Sequence, residues 1–207
     1  MRLALLLAVA GPVGYLVGAI SPATLLARRR GIDLAAAGSG NPGATNAGRV
    51  LGRRAGLLVG LLDLAKGALP AAGFGLADGR AGLLAGFAAV IGHVTSPYLR
   101  GRGGKGVATS AGAVLGSHPV LVPPVLAVWV AVALLSRWVA LASMTAAASL
   151  PVAAYLLGFR GVDLLWAAAL AAVVVVRHQA NIRTKLRQVR RSRRAGRGSA
   201  SAETDEP

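Results

Sequence analysis

Seven apolar runs separated by short polar stretches account for most of the chain: Leu3 to Ala27, Ala55 to Ala77, Ala81 to Thr95, Val107 to Gly116, Val120 to Ser136, Trp138 to Gly158 and Val162 to Val176. About 20 apolar residues cross a hydrocarbon core. The pattern therefore predicts an all-α polytopic membrane protein with about seven transmembrane helices. The runs at Val107 and Val162 are short, and the expectation for them is a tilted or half-buried piece beside a polar cavity. Pro119, Pro123 and Pro124 mark a break between the fourth and fifth runs. The first run follows Arg2 and carries small residues near Ala8 to Gly11, as a signal peptide would. It continues through Gly18 and Leu26, however, and stops at Arg28, Arg29 and Arg30, so it reads as a spanning helix with a cationic anchor. Glycines four apart at Gly14 and Gly18, Gly56 and Gly60, Gly82 and Gly86, and Gly112 and Gly116 predict close helix packing.

Composition agrees with a bilayer, since 55% of the 207 residues are apolar and 14% charged. A formal net charge of +16 would suggest nucleic acid in a soluble domain. Here the basic residues are interleaved with spans, and three Phe, three Tyr and three Trp offer little for base stacking, so nucleic-acid binding is excluded. The distribution of charge sets an orientation instead. With the amino terminus outside, nineteen of the lysines and arginines fall on one side, three (Arg2, Arg80, Arg160) on the other, and Lys66 inside a segment. Positive residues stay cytoplasmic, which predicts an external amino terminus and a cytoplasmic carboxyl terminus in a bacterial inner (plasma) membrane. Merging the runs that flank Pro119 would put the basic tail outside, so seven spans are retained. Residues 1–187 read as the membrane domain. Residues 188–207 are basic, then Ser/Ala-rich, then acidic at Glu203, Asp205 and Glu206, which predicts a disordered tail. The absence of cysteine excludes disulfides, thiolate metal sites and cysteine nucleophiles.

Three polar stretches fall on the cytoplasmic side of this topology. The first, GSGNPGATN from Gly38 to Asn46, is followed by Arg49. Its glycines Gly38, Gly40 and Gly43 let backbone amides approach a ligand, and Ser39, Asn41, Thr45 and Asn46 add neutral hydrogen bonds, a combination suited to an anion and more than a plain turn needs. The second, GRGGKGVATS from Gly101 to Ser110, sets Gly103, Gly104 and Gly106 around Lys105, with Thr109 and Ser110 at a helix start. Amides, a lysine and a helix amino terminus favour phosphate. It is not a Walker A loop, because Gly106 stands where Ser or Thr must follow the lysine. A basic loop obeying the positive-inside rule would explain the arginines but not the glycines. The third, RHQAN from Arg177 to Asn181, puts His178 and Asn181 three apart on one helix face, where they either meet one ligand or are simply interfacial.

Asp63 and Lys66, also three apart, lie inside the second apolar run. Charges in hydrocarbon are costly, so the two are expected to pair and face the bundle interior in a supporting role. His93 and His118 have no sequence companions for a metal site, and no metal or cofactor is assigned.

Together these residues make the chain resemble the bacterial membrane glycerol-3-phosphate acyltransferase family that uses acyl phosphate as donor, the PlsY family. The resemblance covers nearly the whole chain: GSGNPGATN, the DLAKG stretch from Asp63 to Gly67, the Gly92–His93 pair, GGKGVATS, and the ending Arg177, His178, Asn181, Ile182. The chain departs from it at Thr95, where the family usually has an aromatic residue, at Pro97, displaced by one, and at Gln179 and Ala180, where the family carries charges. The leucine-glycine-glutamate ending is also missing. The resemblance implies a seven-helix membrane fold that moves an acyl group from acyl phosphate to the 1-hydroxyl of glycerol 3-phosphate, giving lysophosphatidic acid and phosphate. By the same resemblance, Ser39, Arg49, Lys105, His178 and Asn181 are the expected catalytic residues. Gly40, Asn41, Gly43, Thr45, Asn46, Gly103, Gly104, Gly106, Thr109 and Ser110 are the expected phosphate-binding ones. A small transporter or flippase for a phosphorylated solute is the competing reading, since broken helices with glycine loops also build transport sites. Against it stand the one-sided placement of the loops and the lack of an inverted repeat.

Overall fold

The computed structural model describes residues 1–179, 181 and 182, and among them there is no strand. The expected boundary at residue 187 and the tail beyond it lie outside these residues. The α-helices among the described residues are, in order, α1 (Arg2–Ala19), α2 (Pro22–Arg28), α3 (Ala44–Leu51), α4 (Arg53–Gly75), α5 (Gly79–Thr95), α6 (Val107–Ser117), α7 (Val122–Ser136), α8 (Val139–Leu156) and α9 (Gly161–Arg177). Each expected apolar run becomes helical, with two differences. The first run is broken at Ile20 and Ser21, where Pro22 opens α2 and the Ser21 hydroxyl accepts from the Thr24 amide at 3.3 Å. Proline at the first helical position has no N–H to donate to a preceding turn, and the Ser21 cap with Pro22 marks the end of α1 and the start of α2. The expected first loop is also shorter than its motif, because Ala44 begins α3. At the fourth interval, a 3₁₀ turn at Pro119–Leu121 separates α6 from α7, as the prolines demand.

Among the described residues, five stretches are long and apolar enough to cross a membrane: Arg2–Arg28, Arg53–Gly75, Gly79–Leu99, Pro119–Ser136 and Val139–Leu156. Helix α6 is a shorter apolar helix of 11 residues, and α9 has 17. Residues Met1–Arg177 form one compact unit, and His178 begins a second. Within the first unit, small residues bring helices into backbone contact. A Cβ on Gly14 or Gly18 of α1 would collide with the carbonyls of Ala85 and Ala89 on α5, and one on Gly112 of α6 would strike the Leu64 carbonyl on α4. Where lipid supplies no hydrophobic drive between helices, this close approach is what holds them together. The main core gathers Leu83, Val90, Val114, Leu150, Trp166 and Leu170 between α5, α6, α8 and α9. Trp166 also donates its indole N–H to the Leu83 carbonyl at 2.9 Å. Helix α7, by contrast, buries no residue, and Leu57, Leu61 and Leu69 of α4 are exposed, the pattern of surfaces that face lipid.

Candidate active site

The GSGNPGATN stretch is shaped by Asn46. Its side chain is 1% exposed, accepts from the Ser39 amide at 2.8 Å and donates to the Ala37 carbonyl at 3.1 Å. Gly38, with a left-handed φ of 62°, has no room for a Cβ beside the Asn46 carboxamide. Both ends of the Asn46 amide are thus engaged by the loop itself, each with one further hydrogen-bond position. The amides of Gly40, which donates to Ala37, and Gly43, which donates to the Asn41 carbonyl, are engaged as well. What the segment presents is Ser39 and Thr45, both exposed, half-buried Asn41, the unpartnered amides that open α3, and Arg49 in the last turn of that helix.

The second loop enters from a turn at Pro97–Leu99 and ends at Gly106, whose φ of 82° caps α6. Here too one expected amide is spent, since Gly104 N–H donates to the His93 carbonyl at 3.1 Å. Arg177, at the end of α9, donates from Nε to the Gly104 carbonyl at 3.2 Å and from a terminal nitrogen to the Gly103 carbonyl at 2.9 Å. It thereby pins two successive peptides of the loop. Thr109 is fully buried and its backbone abuts Gly67 on α4, so it packs α6 against α4. Ser110 is nearly buried as well; neither hydroxyl has a hydrogen-bond partner among the described residues.

Lys105 is half-buried between these elements. Burial pushes its ammonium below the usual lysine range, and the neighbouring guanidiniums of Arg49 and Arg177 push it further down. Arg49 on α3 and Arg177 on α9 thus lie within electrostatic reach of Lys105 in the second loop, and the buried carboxylate of Asp63 is paired elsewhere. Lys66 Nζ lies 3.0 Å from Asp63 Oδ1 and also donates to the Ile20 carbonyl at 2.7 Å, so the supporting pair is formed as expected. Among the described residues none of Arg49, Lys105 and Arg177 has a carboxylate partner, and positive charge beside glycine-rich backbone is an arrangement suited to an anion.

His178 and Asn181 belong to the second unit, where one turn joins them: the Asn181 amide donates to the His178 carbonyl at 2.9 Å. His118 has a companion that sequence spacing could not reveal. Its Nε2 lies 2.9 Å from Asp163 Oδ1, and its ring packs on Phe159 and Trp166. Among the described residues no group of metal-ligand side chains is assembled. Sequence reasoning gave no role to Arg177 or His93. The only signal for Arg177 was its place at the head of the RHQAN stretch.

The chain matches the protein family described as Glycerol-3-phosphate acyltransferase over residues 7–188. The glycerol-3-phosphate acyltransferase of Geotalea daltonii is 41% identical over 172 residues, covering 82% of this chain and 88% of that protein. That of Desulforudis audaxviator is 45% identical over 173 residues, covering 82% and 87%. The fold is similar to the crystal structure of PlsY, an integral membrane glycerol 3-phosphate acyltransferase, in its glycerol 3-phosphate form. The TM-score is 0.82 at 35% identity, over 88% of this chain and 92% of that one. The lysophosphatidic acid form of the same protein gives a TM-score of 0.80 at 34% identity, with the same coverage.

Proposed function

Because the chain belongs to the glycerol-3-phosphate acyltransferase family, a family of integral membrane acyltransferases, we propose that it transfers a fatty acyl group from acyl phosphate to the 1-hydroxyl of glycerol 3-phosphate. The products are lysophosphatidic acid and inorganic phosphate. The observation that carries this reading is that Arg49 and Arg177 lie within electrostatic reach of Lys105 beside two glycine-rich segments. Both substrates are phosphates and one has a lipid tail, so the site they need is cationic, rich in backbone amides and open to a bilayer.

In this proposal the substrate's 1-hydroxyl oxygen attacks the acyl carbonyl carbon. The new ester bond forms as the bond from that carbon to the bridging oxygen breaks, and phosphate leaves with the electron pair. Acyl phosphate is an activated anhydride, so no protein nucleophile and no cofactor is required; positioning and charge neutralisation supply most of the barrier reduction. Ser39, Asn41, Thr45 and Arg49 bind one phosphate. Lys105, with the free amides of Lys105 and Gly106, holds the other. His178 and Asn181 position glycerol 3-phosphate, and the hydroxyl proton passes either to His178 or to a phosphate oxygen. Seven membrane helices, an external amino terminus, a cytoplasmic carboxyl terminus and a site facing the cytoplasm complete the reading. The charge distribution supports them.

The test is an assay of the purified protein in detergent with palmitoyl phosphate and radiolabelled glycerol 3-phosphate, beside acyl-CoA and acyl carrier protein donors. Labelled lysophosphatidate from acyl phosphate alone is the expected result. Its formation from acyl-CoA instead would overturn the donor, and no product from a folded protein would overturn the reaction.

A further inference from the structure

Three buried ionisable side chains take no part in the reaction as drawn: Asp63 at 2% exposure, and Lys66 and His93 at 7% each. They form a line. Lys66 reaches the Ile20 carbonyl at the break between α1 and α2 and pairs with Asp63, and the His93 Nδ1 lies 3.6 Å from the same Asp63 oxygen. The opposite edge of the imidazole lies against the second loop, where a Cβ on Gly104 would collide with Nε2. The His93 carbonyl holds the Gly104 amide, and a Cβ on Gly103 would collide with that carbonyl. Gly103 and Gly104 are absent from the positive-φ glycines, unlike Gly101 and Gly106. Neither needs glycine for a left-handed φ; what demands it is space, filled at Gly104 by the His93 ring and at Gly103 by the His93 carbonyl and the Val94 backbone.

We propose that His93 is a positioning residue: Asp63 and Lys66 fix its ring, and its ring and carbonyl set the second loop at the height at which Lys105 meets phosphate. A buried ion pair that only stabilised the bundle would need no contact with this loop. The loop is instead gripped from two sides, by His93 and by Arg177. With His93 so little exposed and Gly104 closed over its ring, the imidazole supports the loop and does not touch substrate. This assignment rests on the acyltransferase reading above.

The experiment is steady-state kinetics of detergent-purified His93→Ala, with both substrates varied in turn and Lys105→Ala as reference. His93→Ala is expected to raise one KM by about tenfold or more, because small displacements of a binding group are costly. It should be the same KM that Lys105→Ala raises, with the other within about twofold and the kcat pH profile unmoved. The double variant Asp63→Leu/Lys66→Met removes both charges without stranding either and is therefore expected to fold. It should show the same single-KM effect when assayed below its melting temperature, which is expected to fall because the Ile20 carbonyl loses its Lys66 partner. Unaltered KM values with a lowered melting temperature would reduce the cluster to structure alone, and a lost limb in the pH profile of His93→Ala would make it a proton carrier; either overturns the proposal. If the wild-type protein forms no lysophosphatidate, the reaction fails but the loop can still be read. Calorimetric binding of inorganic phosphate should then weaken by about tenfold in His93→Ala, and equal binding would defeat the positioning role.

Discussion

Replacing Lys105 by Met removes one positive charge and little else. The unbranched stem is kept, and the half-buried ammonium donates to no described residue, so no internal hydrogen bond is lost. Its charged neighbours Arg49 and Arg177 repel it, so folding should be unaffected or slightly favoured. The loss should fall on the reaction. A charge-assisted donor aimed at a phosphate contributes about 1.5–3 kcal/mol, and a preorganised donor that meets charge developing in a transition state about 3–4 kcal/mol. Activity measured as kcat/KM for lysophosphatidate formation should therefore fall roughly 10²–10³-fold, while the yield and the melting temperature in detergent stay at wild-type values. Lys105→Arg, which keeps the charge on a bulkier group, should recover part of that loss. A Lys105→Met enzyme within about threefold of wild type would refute the argument. So would a loss of activity that tracked a loss of folded protein.

Arg177→Leu frees the Gly103 and Gly104 carbonyls and should raise the KM for one phosphate substrate by about tenfold; unchanged kinetics would show that the clamp does not matter. Gly112→Ala drives a methyl into the Leu64 carbonyl and should cost about 1–3 kcal/mol, seen as a lower melting temperature. Gly73→Ala, in open space within α4, should be neutral or stabilising by up to about 1 kcal/mol; equal effects of the two would mean that helix contact is not what limits stability. Lys105 must be charged to hold phosphate, and its pKa is lowered from 10.5, so the alkaline limb of kcat/KM should fall below the usual lysine range. The same depression means that the unfolded chain binds more protons between the folded and unfolded pKa values, so this group's contribution to stability rises with pH there. Lys105→Arg should abolish the limb, and its persistence would assign it to another group.

The positions of the helices were legible because hydrophobic runs and breaker residues act locally. Val107 to Gly116 and the proline break at Pro119 lie within a residue of α6 and the 3₁₀ turn. The Ser21–Pro22 break was equally local, a cap followed by a proline, but it was hidden inside an unbroken apolar run. The loops were legible as glycine-rich cationic segments, yet which amides stay free depends on partners far away. Asn46 turns inward because Ala37 and Ser39 are there to meet it. Gly104 is spent on His93, and Arg177 reaches back across 73 residues to the same loop. No spacing rule encodes contacts of that range, so Arg177 and His93 had to be seen.

The break in the first span has a consequence for how the molecule is made. A carbonyl without a partner in hydrocarbon costs several kcal/mol, and two are freed there, at Ala19 and Ile20. The groups that satisfy them, Ser96 and Lys66, come 77 and 46 residues later in the chain. The first span therefore leaves the ribosome before either partner exists, and its break can be sealed only when Lys66 of α4 and Ser96 at the end of α5 arrive. Its early form must be a continuous helix or one whose open carbonyls stay near water. Maturation of the amino terminus is thus a late event in biosynthesis, and a truncated chain ending before Lys66 should be recognised by membrane quality control as unfinished.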